Sequence, residues 1–251
     1  MRIDLNCDMG ESFGRYALGD DAAMLDVVTS ANVACGLHAG DPTVMQATVA
    51  LAAQKSVAVG VHPGYPDLQG FGRRAMALTP AEIEAAVLYQ IGALAGFARA
   101  VGAPLVHVKP HGALYNVAAR DQAVAEAITR AVAAFDPGLI VVTLPDSALL
   151  YAAQAAGLRV AREGFADRAY REDGSLVPRS EPGAVIHDPA MATVCAIRMV
   201  TQGEVEAITG NVVPLHIDTL CIHGDTPGAV AIAAALRSAL EAEGVVVAPL
   251  G

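Results

Sequence analysis

Tryptophan is absent from this 251-residue chain, and aromatic residues supply only 4% of it. A core has to be assembled from the abundant Ala, Val and Leu, which suit close packing of helices on a buried sheet. Hydrophobic residues reach 54%, so a chain of this length can bury such a core without disulfide staples. Positive charge is scarce as well: Lys and Arg number 16 against 26 Asp and Glu, for a formal net charge of −10. That balance excludes a nucleic-acid footprint and favours solubility without naming a partner.

The four cysteines, Cys7, Cys35, Cys195 and Cys221, form no C-x-x-C pair and no zinc-ribbon spacing. They read as small buried hydrophobes with reduced thiols. Every apolar run is broken by Gly, Pro, His or a charge before it reaches the ~20 residues of a membrane span, so no membrane role is expected. The opening residues, MRIDLNCDMGES, lead straight into a strand-like segment with no basic-then-apolar leader. A cytoplasmic setting is the expectation.

What the chain does have is alternation. Short β-branched runs at residues 2–5, 31–35, 57–61, 105–108, 139–144, 158–161 and 219–222 are separated by Ala-rich helical stretches. This is the pattern of a parallel sheet covered by helices. Thr79-Pro80-Ala81-Glu82 is a capping box with proline at the first helical position, opening a helix that stops at Gly102. Asp41-Pro42, Pro145-Asp146, Asp188-Pro189 and Thr226-Pro227 mark further helix starts, the last two before helices at 190–202 and 228–243. No linker, low-complexity tract or repeat interrupts the alternation, so one domain over residues 1–251 is expected. Residues 164–187, rich in charge, Gly and Pro, are too long for an ordinary connection and suggest a lid.

Polar residues gather where strands end. Asn6, Cys7, Asp8, Gly10 and Glu11 follow the first strand, and Gly36, His38, Gly40 and Asp41 the second. His62 and Gly64 follow the third, and Lys109, His111 and Gly112 follow the fourth, which contains His107. Glu163, Asp167 and Arg168 come after the sixth, and His223 and Asp225 after the seventh. Chemistry spread over many strand ends favours a closed barrel, whereas an open sheet concentrates it at one switch point. Carboxylates and imidazoles at one mouth support general acid–base chemistry or a divalent metal that activates water. Lys109 among them can stabilise an oxyanion or phosphate. Each residue alone has a plainer reading: Asp41 is a helix cap, Asp225 a turn former and His107 a buried mid-strand residue. His187 and His216 stand apart from the constellation. Six strand ends together are harder to explain as caps.

The strings DLNCDMGESFG, NVACGLHAGDP, VGVHPGYPDLQGFGRR, VKPHGALYN, EGFADRAY and LCIHGDTPGA, in this order, resemble the LamB/YcsF family over essentially the whole chain. The resemblance implies a seven-stranded parallel β/α barrel of the glycoside hydrolase/deacetylase type. It also implies ATP-dependent cleavage of 5-oxo-L-proline (pyroglutamate) to L-glutamate by a 5-oxoprolinase, in which this chain works with subunits B and C. The chain carries no G-x-x-x-x-G-K-[ST] loop and no G-x-G-x-x-G after a strand. The expectation is therefore that partners complete the phosphorylation and this barrel hydrolyses the activated ring.

Under that resemblance Asp8 or Glu11 is the expected general base, with His38 and His62 beside it. Lys109 and Arg168 would neutralise phosphate or the substrate carboxylate. His111 or His223 would protonate the leaving nitrogen. Asn6, Gly36, Asp41, Glu163, Asp167 and Asp225 complete the expected substrate-binding set. Related barrels point to Asp8, His38 and His62 as the ligands of a divalent metal. Two other readings stay open: a stand-alone metal-dependent amidase or deacetylase, and a non-catalytic substrate-binding subunit.

Overall fold

The computed structural model describes residues 1–178, 180–222 and 228–251. Its first half runs β1 (Arg2–Met9), α1 (Asp21–Met24), β2 (Ser30–Ala34), α2 (Pro42–Gln54), β3 (Ala58–His62), α3 (Pro80–Ala100), β4 (Leu105–Val108), α4 (Gly112–Ala118) and α5 (Gln122–Phe135). The second half continues with β5 (Ile140–Thr143), α6 (Ala148–Ala155), β6 (Arg159–Phe165), α7 (Pro189–Gln202), β7 (Glu204–Glu206), β8 (Val212–Pro214), β9 (Thr219–Cys221), α8 (Ala229–Ala242) and β10 (Val246–Val247).

Strands β1 to β6 pair in sequence order, β6 pairs with β9, and β9 pairs back with β1, all in parallel. The sheet closes on itself as a seven-stranded barrel, and closure removes the exposed edges. The seven expected strands are its staves. Three short strands were not foreseen: β10 lies against the start of β1, and β7 and β8 form a small antiparallel pair outside the barrel.

Strand β1 shows how the interior is built. Ile3, Leu5, Cys7 and Met9 belong to the main hydrophobic core, while Asp4, Asn6 and Asp8 alternate with them. A period of two sends these sets to opposite faces. Asp4, Asn6 and Asp8 bond to residues of β2, β9 and the end of β4, so the polar set points into the barrel. The apolar set is left to pack beneath the covering helices. Asn6 and Asp8 thus stand inside a strand that runs four residues beyond its expected end.

Caps fix where the helices start. Asp41 accepts from Thr43 and Val44 at the start of α2, and Thr79 with Glu82 completes the capping box of α3. The helix after β5 begins later than Pro145-Asp146 suggests: Ser147 caps α6, and Asp146 takes a φ of 52° just before it. Thr226-Pro227 lies outside the described residues. By length and composition alone, α3 is apolar enough to cross a membrane. Its stripe of Ile83, Val87, Ile91 and Leu94 is buried, and the helix packs on α5 and β3 as a barrel's covering helix does.

Of the segment expected to be a lid, residues 164–178 and 180–187 are tied by backbone bonds to one another and to the end of β6. Ala169 donates to the Ala184 carbonyl, Val177 to Ala169 and Ile186 to Asp167. The Arg168 guanidinium donates to the Val177 and Ala184 carbonyls, and buried Tyr170 accepts the Phe165 N–H through its hydroxyl.

Candidate active site

The barrel mouth opens into a cavity of about 440 Å³, lined among others by Asp8, Glu11, His62, Lys109, His111 and Arg168. These come from the carboxyl-terminal ends of β1, β3, β4 and β6, where barrel loops assemble sites. One donor atom each from Glu11, His38, His62 and His111 lies within 4.8 Å of the other three.

Backbone carbonyls set the tautomers of two of these rings. His62 Nδ1 is 2.7 Å from the Lys109 carbonyl oxygen, and His111 Nε2 is 2.8 Å from that of Phe71. A carbonyl has no proton to give, so each facing nitrogen carries one. His62 Nε2 and His111 Nδ1, the remaining nitrogens, are 3.0 Å apart. His38 stacks flat on His111, with centroids 3.9 Å apart and planes 7° from parallel. It is fully buried, and neither of its ring nitrogens has a hydrogen-bond partner among the described residues. Its Nε2 is 3.9 Å from Glu11 Oε1.

The rings come this close because glycines frame them. A Cβ on Gly64 would sit 2.6 Å from His38 Nδ1, and one on Gly72 would sit 2.8 Å from both His38 and His111. Gln90 on α3 clamps Gly64 at both its N–H and its carbonyl, at 2.9 and 3.0 Å. Burial, with the neighbouring His111 and His62, holds His38 well below the usual imidazole range. Burial and His62 push His111 down to about 3.

Imidazoles converging with a carboxylate are the donor set of a divalent transition metal. The outer nitrogens of His62 and His111, held by carbonyls, match the way metal-bound histidines are oriented. The residues therefore fit a metal, and two of the three expected ligands, His38 and His62, stand in the cluster. Glu11 and His111 join His38 and His62, and Asp8 stands beside the group with Oδ2 3.3 Å from His62 Nε2. The other Asp8 oxygen, Oδ1, is taken by Lys109 Nζ and Asn32 Nδ2, each at 2.9 Å.

Lys109 is enclosed. Its Nζ lies 2.8 Å from Glu163 Oε1, 2.9 Å from Asp8 Oδ1, and 3.2 Å from both Asn6 Oδ1 and Cys221 Sγ. Burial alone would lower its pKa, but Asp8 and Glu163 outweigh that and raise it well above the ordinary value. For Asp8 burial opposes the charge, and His62 and Lys109 overcome it to hold the carboxyl well below its usual range. An ammonium with four such contacts and three hydrogens has none left for a phosphate or oxyanion. It fixes Asp8 and Glu163 in place. Glu163 is completed by the Tyr115 hydroxyl at 2.8 Å and exposes no surface.

The remaining expected residues divide. Arg168 lines the cavity, with its guanidinium donating to the Val177 carbonyl. Asn6 is buried beneath Asp8, bonded to Asn32, Lys109 and Thr219. Asp41 is spent on α2 and on the Gly14 N–H, Gly36 makes a turn at φ 90°, and Asp167 lines a separate, mainly apolar pocket by α7 and α8. None of these three lines the cavity. His223 and Asp225 lie outside the described residues. Arg73, Tyr115 and Arg120 line the cavity, and Asn32 with His107 supports it from below. Of these, Asn32 was legible: in SANVA it alternates with Ser30, as Asn6 does with Asp4.

The sequence profile of the LamB/YcsF family matches residues 3–251. The chain belongs to the LamB/YcsF family. Among its relatives, the A subunit of the Methylococcus capsulatus 5-oxoprolinase is 61% identical over 99% of this chain and 96% of its own. That of Pyrococcus furiosus is 56% identical over 100% and 98%. In fold the chain is similar to the crystal structure of the lactam utilization protein from Thermus thermophilus. The TM-score there is 0.95 with 54% identity, over 99% of both chains. A family 4 carbohydrate esterase from Streptomyces lividans shares the fold alone, with a TM-score of 0.52 and 12% identity over 98% of this chain and 91% of that one. The LamB/YcsF fold is thus built on a deacetylase-like barrel.

Proposed function

We propose that this LamB/YcsF chain is the ring-opening component of an ATP-dependent 5-oxoprolinase, converting 5-oxo-L-proline to L-glutamate together with subunits B and C in the cytoplasm. The observation that carries the reading is the convergence of Asp8, Glu11, His38, His62 and His111 at one barrel mouth, in a chain whose relatives are named as the A subunits of 5-oxoprolinases. The name "lactam utilization protein" of a structural relative supports the same substrate class. Free cysteines, three of them buried, agree with a reducing compartment.

A five-membered lactam is a stabilised amide, and its hydrolysis at neutral pH is slow. With no phosphate-binding loop in the sequence, the ATP-dependent activation falls to the partners, and this barrel delivers water to the activated ring. Asp8 is the base. Its ionised carboxylate is pinned at Oδ1, leaving Oδ2 to take the proton of the attacking water. The same carboxyl then returns that proton to the departing ring nitrogen as the C–N bond breaks, which leaves the phosphorylated oxygen on the opened acyl carbon as an acyl phosphate, and a second water hydrolyses it to glutamate and phosphate. His111, held neutral, is better suited to ligating a cation than to protonating the leaving group. A metal held by Glu11, His38, His62 and His111 would supply Lewis-acid polarisation and a more acidic water.

The test is glutamate release from 5-oxoproline by the chain alone and with subunits B and C, with and without ATP, beside Asp8→Asn. Glutamate that needs ATP and all three subunits, and falls at least about 100-fold in the variant while the complex still assembles, is the expected result. Full activity of Asp8→Asn would move the chemistry to the partners. Amide hydrolysis without ATP or partners would make this a stand-alone amidase.

A further inference from the structure

We infer that Asn32, backed by His107, is a positioning residue that, together with Lys109, holds one oxygen of Asp8 so that the other faces the cavity. The inference rests on the reading of Asp8 as the base. His107 Nε2 is 2.7 Å from Asn32 Oδ1, and an amide oxygen only accepts, so Nε2 bears the proton. The Asp8 carboxylate, which only accepts, fixes the orientation of the Asn32 amide and with it the His107 tautomer. Asn32 Nδ2 then donates to Asn6 Oδ1 at 2.7 Å and to Asp8 Oδ1 at 2.9 Å. Reversing the amide would set its oxygen against two acceptors and its N–H group against the His107 N–H.

The polarity continues downward in one direction. Asn6 Nδ2 donates to Thr219 Oγ1 at 2.7 Å, and Thr219 donates to Asp4 Oδ2 at 2.5 Å. Lys109 covers Asp8 Oδ1 from the other side, so only Oδ2 is left toward His62 and the cavity. Asn32 and His107 are both fully buried and neither lines the cavity, which leaves them no route to touch a ligand.

A backbone feature is dedicated to this arrangement. The His107 ring lies over Gly60 on the neighbouring strand, where a Cβ would come within 2.0 Å of Nε2. The ring's Nδ1 has no hydrogen-bond partner among the described residues, an unfavourable state for a buried polar atom. An apolar residue would avoid that cost. What it would not supply is the N–H aimed at Asn32.

The experiment compares His107→Leu, which removes the donor, with His107→Gln, whose Nε2–H can stand where the ring N–H stood. Both are measured in the chain assembled with its partner subunits, by glutamate release. The leucine variant should lose about tenfold or more in kcat with KM within about twofold, and the glutamine variant should recover most of that loss at a matching thermal midpoint. Equal kcat in the two variants, a loss carried by KM, or activity that tracks the midpoint overturns the inference. A second measurement needs no turnover: ¹⁵N-histidine NMR of the isolated chain should show His107 as the neutral Nε2–H tautomer. The Nδ1–H tautomer would overturn it as well. Inactive wild type or fully active Asp8→Asn counts against the assignment of Asp8, and the tautomer still decides the role of Asn32.

Discussion

His62 Nε2 and His111 Nδ1 face each other at 3.0 Å while the opposite nitrogen of each ring donates to a backbone carbonyl. Two bare lone pairs at that separation repel. The pair becomes favourable when a cation sits between or beside them, and the candidates are a shared proton and a metal. His38, buried with both nitrogens unpartnered among the described residues, and Glu11 point to the metal. We expect the purified chain, exposed to zinc or cobalt and then dialysed, to retain about one equivalent of ion. His38→Ala and Glu11→Gln should weaken retention by at least about 100-fold, since loss of even outer-shell support costs about 10–100-fold. Elemental analysis and the visible spectrum of the cobalt form read this out. If wild type retains none, the cation between the rings is a proton.

Among the described residues, Lys109 is the cation that stands between Asp8 and Glu163, at 2.9 and 2.8 Å. Replacing it by methionine leaves the buried Glu163 and the partly exposed Asp8 without the cation they share. Breaking a buried pair in this way costs about 3–5 kcal/mol. Lys109→Met should therefore lose about that much stability in denaturant unfolding, and Lys109→Met with Glu163→Gln should regain part of it. Equal stability of the single variant and wild type would mean that the carboxylates are not both charged.

The barrel and its seven staves were legible because β-branched runs and capping residues are local signals that survive without tertiary context. The site was legible in its residue types and less so in their division of labour. Lys109 reads as a substrate cation until its four contacts are seen, and three of those come from strands more than a hundred residues away in sequence. Asp41 reads equally as cap and ligand, and only the positions of Thr43, Val44 and Gly14 decide. Glu11 and His111 come beside His38 and His62 through loop geometry, which no spacing in the chain encodes. Residues 164–187 read as a lid from length and composition, and the contacts of Arg168 with Val177 and of Tyr170 with Phe165, which hold parts of that stretch in place, carry no signal in the sequence.

Gly60 is held small by His107. A methyl group there would fall 2.0 Å from the ring, on a β3 residue with no room to retreat. Gly60→Ala should destabilise the fold by about 1–3 kcal/mol, as overpacking of a filled interior does. It should also lower kcat, because a displaced His107 releases Asn32. Thermal unfolding together with turnover checks both, and an alanine variant with wild-type stability and rate would show that the ring can move aside.

Acid sensitivity follows from the same ring. Burial, with Lys109 adding to it, pushes His107 down to about 3, against an unfolded-chain value of about 6.5. Between those two values the unfolded chain binds a proton at this residue that the native state refuses. Stability is therefore fully present above about pH 6.5 and is lost progressively as pH falls toward 3. By about pH 5 this group alone should have removed roughly 2 kcal/mol, at about 1.4 kcal/mol per pH unit. His107→Gln has no proton to gain there. Its loss of stability between about pH 7.5 and about pH 5 in urea titrations should be smaller than that of wild type by roughly this amount. Equal losses in the two proteins would mean that His107 is not buried as a neutral donor, and would remove the support it gives to Asn32.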